Sequence, residues 1–162
     1  MTTVSLPRGR TLHLDSPVVM GILNVTPDSF SDGGNYCQLD SAVKQAHTLL
    51  EQGAKIIDIG GESTRPGAPD VSLEDELDRV IPLVKALRKT SDCIISIDTS
   101  KSEVMRQAIL AGADIINDVR ALQEPGAIEV LSAYPDVAIC FMHMQGQPRT
   151  MQSNPQYEDL FA

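Results

Sequence analysis

Five short apolar runs rich in β-branched residues punctuate the chain: Val18–Leu23, Ile56–Ile59, Ile94–Ile97, Ile115–Ile116 and Val137–Met142. They are apolar almost throughout instead of alternating, the pattern of strands buried on both faces of a parallel sheet. Between them the apolar positions recur at helical spacing. Leu73, Leu77, Val80, Ile81, Val84 and Leu87 fall on one face of a helix. Ser72 with Asp75, and Ser100 with Glu103, have the spacing of capping boxes. Gly53 and Gly112 stand where a left-handed residue ends a helix, and Pro82 is predicted to kink the helix around it by removing a backbone donor. Strands and helices therefore alternate, as in an α/β protein with a parallel sheet. Upstream, Val4–Leu6 and Leu12–Leu14 around Pro7-Arg8-Gly9-Arg10 read as a small hairpin within residues 1–16.

An internal repeat sharpens the architecture. Gln52-Gly53-Ala54-Lys55-Ile56-Ile57-Asp58 resembles Ala111-Gly112-Ala113-Asp114-Ile115-Ile116-Asn117, with the glycines 59 positions apart. Two strand–helix units fill that interval, so one unit takes about 30 residues and eight would take about 240, close to a (β/α)8 TIM-type barrel. The chain from Val18 onward accommodates about five. Asn154-Pro155, followed by Glu158 and Asp159, has the signature of a fifth helix beginning. The expectation is the first five units of an incomplete barrel, a single domain over residues 1–162. An open, doubly wound five-strand sheet is the competing architecture.

Composition narrows the functions. With 13 Lys and Arg against 22 Asp and Glu, the formal charge of the 162 residues is −9. This disfavours nucleic acid and anionic membranes as partners, since both call for clustered cations. No apolar run approaches the ~20 residues of a membrane span. Met1–Arg10 has no apolar signal segment, and Cys37, Cys93 and Cys140 are odd in number with no C-x-x-C spacing, so a reducing cytoplasm is expected.

Parallel α/β folds bind ligands at the carboxyl ends of their strands, and each run here ends in polar residues. The clusters are Asn24-Val25-Thr26-Pro27-Asp28-Ser29-Phe30-Ser31-Asp32-Gly33-Gly34, then Gly60-Gly61-Glu62-Ser63-Thr64-Arg65-Pro66-Gly67, Asp98-Thr99-Ser100-Lys101, Asn117-Asp118 and His143-Met144-Gln145-Gly146. Each also has a purely structural reading. Pro27-Asp28 and Asp32-Gly33-Gly34 are turn formers, Asp98 could support a cap, and Asn117 could satisfy loop backbone. His143 could be a packed or loop-bonded histidine, and Met142 and Met144 plain wall. Asp58, set among isoleucines, is expected to be buried and hydrogen-bonded, and could equally support a site from behind. Arg65 is hardest to read structurally: a guanidinium on a glycine- and proline-flanked loop suits a phosphate or carboxylate oxygen pair. No G-x-G-x-x-G or Walker-type loop occurs, which weakens the dinucleotide-type open sheet.

These clusters, in this order, resemble the bacterial dihydropteroate synthase family. Met20-Gly21-Ile22-Leu23-Asn24-Val25-Thr26-Pro27-Asp28-Ser29-Phe30-Ser31-Asp32-Gly33-Gly34 and Ile57-Asp58-Ile59-Gly60-Gly61-Glu62-Ser63-Thr64-Arg65-Pro66-Gly67-Ala68 are similar to its two signatures. Ile97-Asp98-Thr99, Ile115-Ile116-Asn117-Asp118 and Met142-His143-Met144-Gln145-Gly146 fall at its later positions. The resemblance implies a (β/α)8 barrel joining p-aminobenzoate to a hydroxymethyl-dihydropterin diphosphate, on the folate pathway. It implies that Asn24 holds Mg2+ with the diphosphate, that Asp32 stands near the metal or reaction centre, and that Phe30 lies near p-aminobenzoate. Thr64 and Arg65 would meet the diphosphate and Pro66 the p-aminobenzoate side. Asp98 and Asn117 would read the pterin ring, with Met142 in its wall.

The family's further acidic pterin contact, late-loop lysine, basic pair and dimer-forming helices have no counterpart in these residues. A homodimer is thus expected only with that second half, and the 162 residues alone are expected to be inactive. A non-catalytic pterin-binding module is the alternative. A pterin-dependent methyl transferase is disfavoured by the serine- and arginine-bearing loops, which suit diphosphate chemistry.

Overall fold

The computed structural model describes residues 2–25, 35–62, 70–147, 150–152 and 154–159, with residues 35–37 by backbone alone. Two strands, β1 (Thr3–Leu6) and β2 (Arg10–His13), pair antiparallel across a single 3-10 turn at Pro7–Gly9. Five further strands, β3 (Met20–Asn24), β4 (Ile56–Gly60), β5 (Ile94–Asp98), β6 (Ile115–Asp118) and β7 (Ala138–Phe141), form one parallel sheet in the order β3-β4-β5-β6-β7. Helices α1 (Asn35–Glu51), α2 (Leu73–Thr90), α3 (Ser102–Ala111) and α4 (Ala127–Ser132) connect them.

Every strand neighbours its predecessor, so the order never reverses as it must in a doubly wound sheet. The helices also share one face. Ile57, Ile59, Ile95, Ile97 and Ile116 pack in a single cluster with Ala42 and Ala46 of α1, Leu83 and Leu87 of α2, Met105 of α3 and Leu131 of α4. A sheet covered on one face, in sequential order, is the arc of a TIM-type barrel. Burying each of these Ile or Leu side chains contributes about 1.5–3 kcal/mol.

The opposite face points into the barrel and differs from the sequence expectation. It carries Ile22, Asp58 and Ser96 in register across three strands, and Ile22 is 66% exposed. The strands are thus not apolar on both faces; the isoleucine-rich runs reflect the helix-covered side. At the amino end of the sheet, Leu6 and Leu12 of the hairpin bury against Ile56 and Ile115, with Met20, Ile94 and Ala138 alongside. The hairpin closes that mouth. It is fastened by Asp114, fully buried, which pairs with Arg8 at 2.5 Å and with Arg10 and Arg88. Asp114 also accepts from the Ile95 N–H at 2.9 Å.

Local signals resolve in different ways. Ser72 caps α2, accepting from the Asp75 N–H at 3.1 Å, while its hydroxyl donates to the Asp75 carboxylate. Gly53 and Gly112 have φ of 107° and 115°, as their helix-ending positions require. The second box does not form: α3 starts at Ser102, Ser100 donates to Asp118 instead, and Glu103 pairs with Arg106. Pro82 sits on the exposed side of α2, which runs on to Thr90. Residues 154–159 form no helix, because Asn154 has φ +54° where an N-cap needs extended backbone.

Candidate functional site

Strand register builds the site. Asn24 stands opposite Gly60, Gly60 opposite Asp98, and Asp98 opposite Asn117, so residues at the carboxyl ends of four strands form one row. In-register residues of parallel strands share a face, and this row faces the barrel interior at its carboxyl mouth. Gly60 leaves the middle open: a Cβ there would sit 3.2 Å from Asn24 Oδ1 and 3.6 Å from Asp98 Oδ2. One step deeper lies Asp58, buried, whose two carboxylate oxygens stand 3.4 and 3.3 Å from Asn117 Nδ2. Asp58 thus orients the amide that the sequence reading put forward. Beside it, Ser96 Oγ is buried with no hydrogen-bond partner among the described residues.

The electrostatics follow from this crowding. Burial, and then the neighbouring carboxylates of Asp58, Glu76, Asp118 and Glu62, raise the Asp98 pKa from its ordinary 3.8 to about 7. A flat heterocycle offering two N–H donors would meet an acceptor in Asp98 and a donor–acceptor pair in Asn117.

The rim is braced. Val25 N–H donates to Gly60 O at 2.8 Å, and Thr99 N–H to Asn117 O at 3.1 Å. Arg79 of α2 donates to Gly61 O at 2.8 Å. Lys101 donates to Glu62 and, at 2.6 Å, to the buried Glu76, whose other oxygen accepts from Thr99 Oγ1 at 2.5 Å. Burial works against the Lys101 ammonium, but these two carboxylates outweigh it and hold its pKa above the ordinary value. Asp118 accepts from Ser100 Oγ and from the Arg120 and Leu122 N–H groups, tying the loop after β6 into a turn.

Of the residues singled out in the sequence, Asn24, Asp98 and Asn117 come together. Met142 follows the end of β7, its N–H 3.4 Å from Asp118 O, and is partly exposed. His143 stacks obliquely on Tyr157 at 5.4 Å, and Gln145 binds the backbone of Gln156 through both ends of its amide. Phe30, Asp32, Thr64, Arg65 and Pro66 lie outside the described residues. The sequence reading missed the roles of Glu76, Lys101 and Glu62. Glu76 carried a signal, since an acidic residue one turn before Val80 interrupts the apolar face of α2.

Among the described residues, no three His, Cys, Asp or Glu side chains gather as a metal cage. Asn24 Oδ1 is a hard oxygen donor at the open mouth, which suits an ion that keeps most of its shell from water and phosphate. No helix among the described residues is long and apolar enough to cross a membrane.

Comparison with known proteins agrees with this fold. A dihydropteroate synthase of Escherichia coli (strain K12) is 57% identical over 155 residues, covering 96% of this chain and 55% of that relative. A crystal structure of the Yersinia pestis dihydropteroate synthase with a sulfonamide drug complex matches with a TM-score of 0.87 at 55% identity, over 99% of this chain and 57% of the other. The Xanthomonas albilineans dihydropteroate synthase with 4-aminobenzoic acid matches with a TM-score of 0.81 at 49% identity, over 94% and 53%. The same protein has been solved with 7,8-dihydropteroate. The chain therefore spans about half the length of the relatives it matches, and its sheet is the corresponding part of their barrel. The family model of pterin binding enzymes matches residues 20–162. With that model matched over most of its length, the chain belongs to the pterin binding enzymes.

Proposed function

We propose that this chain, as one pterin-binding domain, supplies the pterin and diphosphate half of a dihydropteroate synthase site. The reaction joins p-aminobenzoate to 6-hydroxymethyl-7,8-dihydropterin diphosphate and yields 7,8-dihydropteroate and diphosphate. The observation that carries this reading is the row of Asn24, Gly60, Asp98 and Asn117 above Asp58. The relatives solved with 4-aminobenzoic acid and with 7,8-dihydropteroate support the same substrate class.

In this reading Asp98 accepts two N–H groups of the pterin edge while Asn117, oriented by Asp58, donates and accepts beside it. A buried polar reader of this kind rejects ill-matched rings because they leave it unpaired. Met142 lines the ring's wall. Asn24 would hold Mg2+ with the diphosphate; when bound, the ion offsets charge on the departing diphosphate. Thr64 and Arg65 contact the diphosphate, and Arg65 stabilises the negative charge that grows as the methylene carbon–oxygen bond breaks. Phe30 and Pro66 line the p-aminobenzoate side, and Asp32 stands near the reaction centre. The amine nitrogen attacks the methylene carbon, forms the carbon–nitrogen bond and then loses a proton.

The acidic composition and the free thiols of Cys93 and Cys140 fit a cytoplasmic enzyme of small molecules, with neither nucleic acid nor membrane as partner. Because the chain spans about half of its relatives, the 162 residues alone bind without turning over, which is also the behaviour of a non-catalytic pterin-binding module.

Titration of the pterin diphosphate, with and without Mg2+, tests this on the chain as it stands. The same titration is made on the chain completed with the C-terminal portion of the Escherichia coli relative. Magnesium-dependent binding by both and dihydropteroate formation by the completed chain alone are expected. Binding without product in both would favour the module, and binding by neither would overturn the proposal.

A further inference from the structure

We propose that Lys101 is a positioning residue for this reaction, fastening Glu62 and with it the root of the segment that carries Thr64 and Arg65. The inference rests on the function proposed above. The exit of β4 is held on three sides. Gly61 has no room for a side chain, because a Cβ there would lie 2.9 Å from both Glu76 Cγ and Val80 Cγ2 of α2. Arg79, one turn after Glu76, holds the Gly61 carbonyl at 2.8 Å. Lys101 then takes the Glu62 carboxylate on one side and Glu76 at 2.6 Å on the other.

Glu76 is the anchor. It is 1% exposed on the core face of α2 and shares its second oxygen with Thr99 Oγ1 at 2.5 Å. A buried carboxylate has to be paired, so the lysine cannot leave it cheaply. Lys101, three residues after Asp98, is in turn fixed through its own backbone, whose N–H reaches Thr99 Oγ1 at 3.2 Å. One ammonium thus links the strand end that presents Asp98 to the residue from which the Thr64–Arg65 segment departs. Two of its three donors go to protein carboxylates, and through one of them it acts on Glu62. Misplacing a group in contact with the substrate by about 1 Å can cost about 100-fold in rate, so a fixed root has a direct consequence for turnover.

The test uses Lys101→Met, Lys101→Arg and Glu62→Gln in the completed chain. Three quantities are read: amide hydrogen exchange at Gly60, Gly61 and Glu62, the separate values of kcat and KM, and affinity for the 6-hydroxymethylpterin ring without its diphosphate. In K101M and E62Q, exchange should speed up by about tenfold or more and kcat should fall by about 10- to 100-fold. Ring affinity should stay within about twofold, and K101R should restore most of kcat. Unchanged exchange, unchanged kcat, or a ring affinity that falls in step with kcat would each overturn the inference. If K101M does not fold, E62Q decides, since Glu62 is only partly buried and leaves the Lys101–Glu76 pair intact. If the unsubstituted completed chain makes no product, the functional reading fails. The exchange arm still decides whether Lys101 holds the root.

Discussion

The side chains of Asn24 and Asp98 flank a residue that has none: a Cβ on Gly60 would lie 3.2 Å from Asn24 Oδ1 and 3.6 Å from Asp98 Oδ2. Gly60→Ala should therefore push Asn24 aside and cost about 1–3 kcal/mol of stability through overpacking. In the completed chain it should weaken magnesium-dependent binding of the pterin diphosphate about tenfold, the size of a displaced orienting contact at a metal site. Titration with and without Mg2+ checks this. Equal losses in both arms would show that Asn24 does not hold the ion.

Asp98 sets a pH dependence in two measurements. Its folded-state pKa of about 7 stands above the ordinary 3.8, so the folded protein binds the extra proton between those values. The stability this contributes is fully present below pH 3.8 and is lost as the pH rises through 7. Asp98→Asn should flatten that slope in urea unfolding across the window. Pterin binding runs the other way, because two N–H donors need the carboxylate. Ring affinity should weaken by about tenfold per pH unit below 7. A pH-independent affinity would remove Asp98 from the ring.

Asp114 is a matter of stability and not of chemistry. It lies at the amino end of β6, away from the row of Asn24 and Asp98, and gathers Arg8, Arg10 and Arg88 around one buried carboxylate. Asp114→Asn leaves those guanidinium groups unmatched and should destabilise by about 3–5 kcal/mol in denaturant unfolding. In the completed chain, turnover per folded molecule should stay within about twofold, since catalytic constants respond to contacts made with the transition state. A large fall in kcat with normal stability would contradict this division of labour.

Arg65→Ala in the completed chain should lower kcat by about 100-fold or more, as loss of a group that stabilises leaving-group charge does. Affinity for the pterin ring alone should change little. Collapse of ring affinity with turnover preserved at saturation would place Arg65 on the ring instead.

Much of the barrel was legible along the chain because its cues are local. The β-branched runs, the glycines at 53 and 112 and the 59-residue repeat each depend on neighbours within a few positions, and five parallel strands appear where they were expected. The Ser100 box failed for a non-local reason: Asp118, 18 residues on, accepts from its hydroxyl, and α3 begins at Ser102 without Ser100 as its cap. The fifth helix start failed through a left-handed Asn154, which residue identity permits but does not announce.

The sequence by itself determined the alternation of strands and helices, the placing of polar residues after each strand, and the kinship those residues carry. The tertiary structure decided which of them meet. Register alone sets Asn24, Gly60, Asp98 and Asn117 in one row, and a one-residue slip would have turned any of them to the helix side. Packing alone brings Lys101 between Glu62 and Glu76, which are 39 and 25 residues away along the chain. Hydrophobic period is written in near neighbours, whereas a buried charge finds its partner only after the layers close around it.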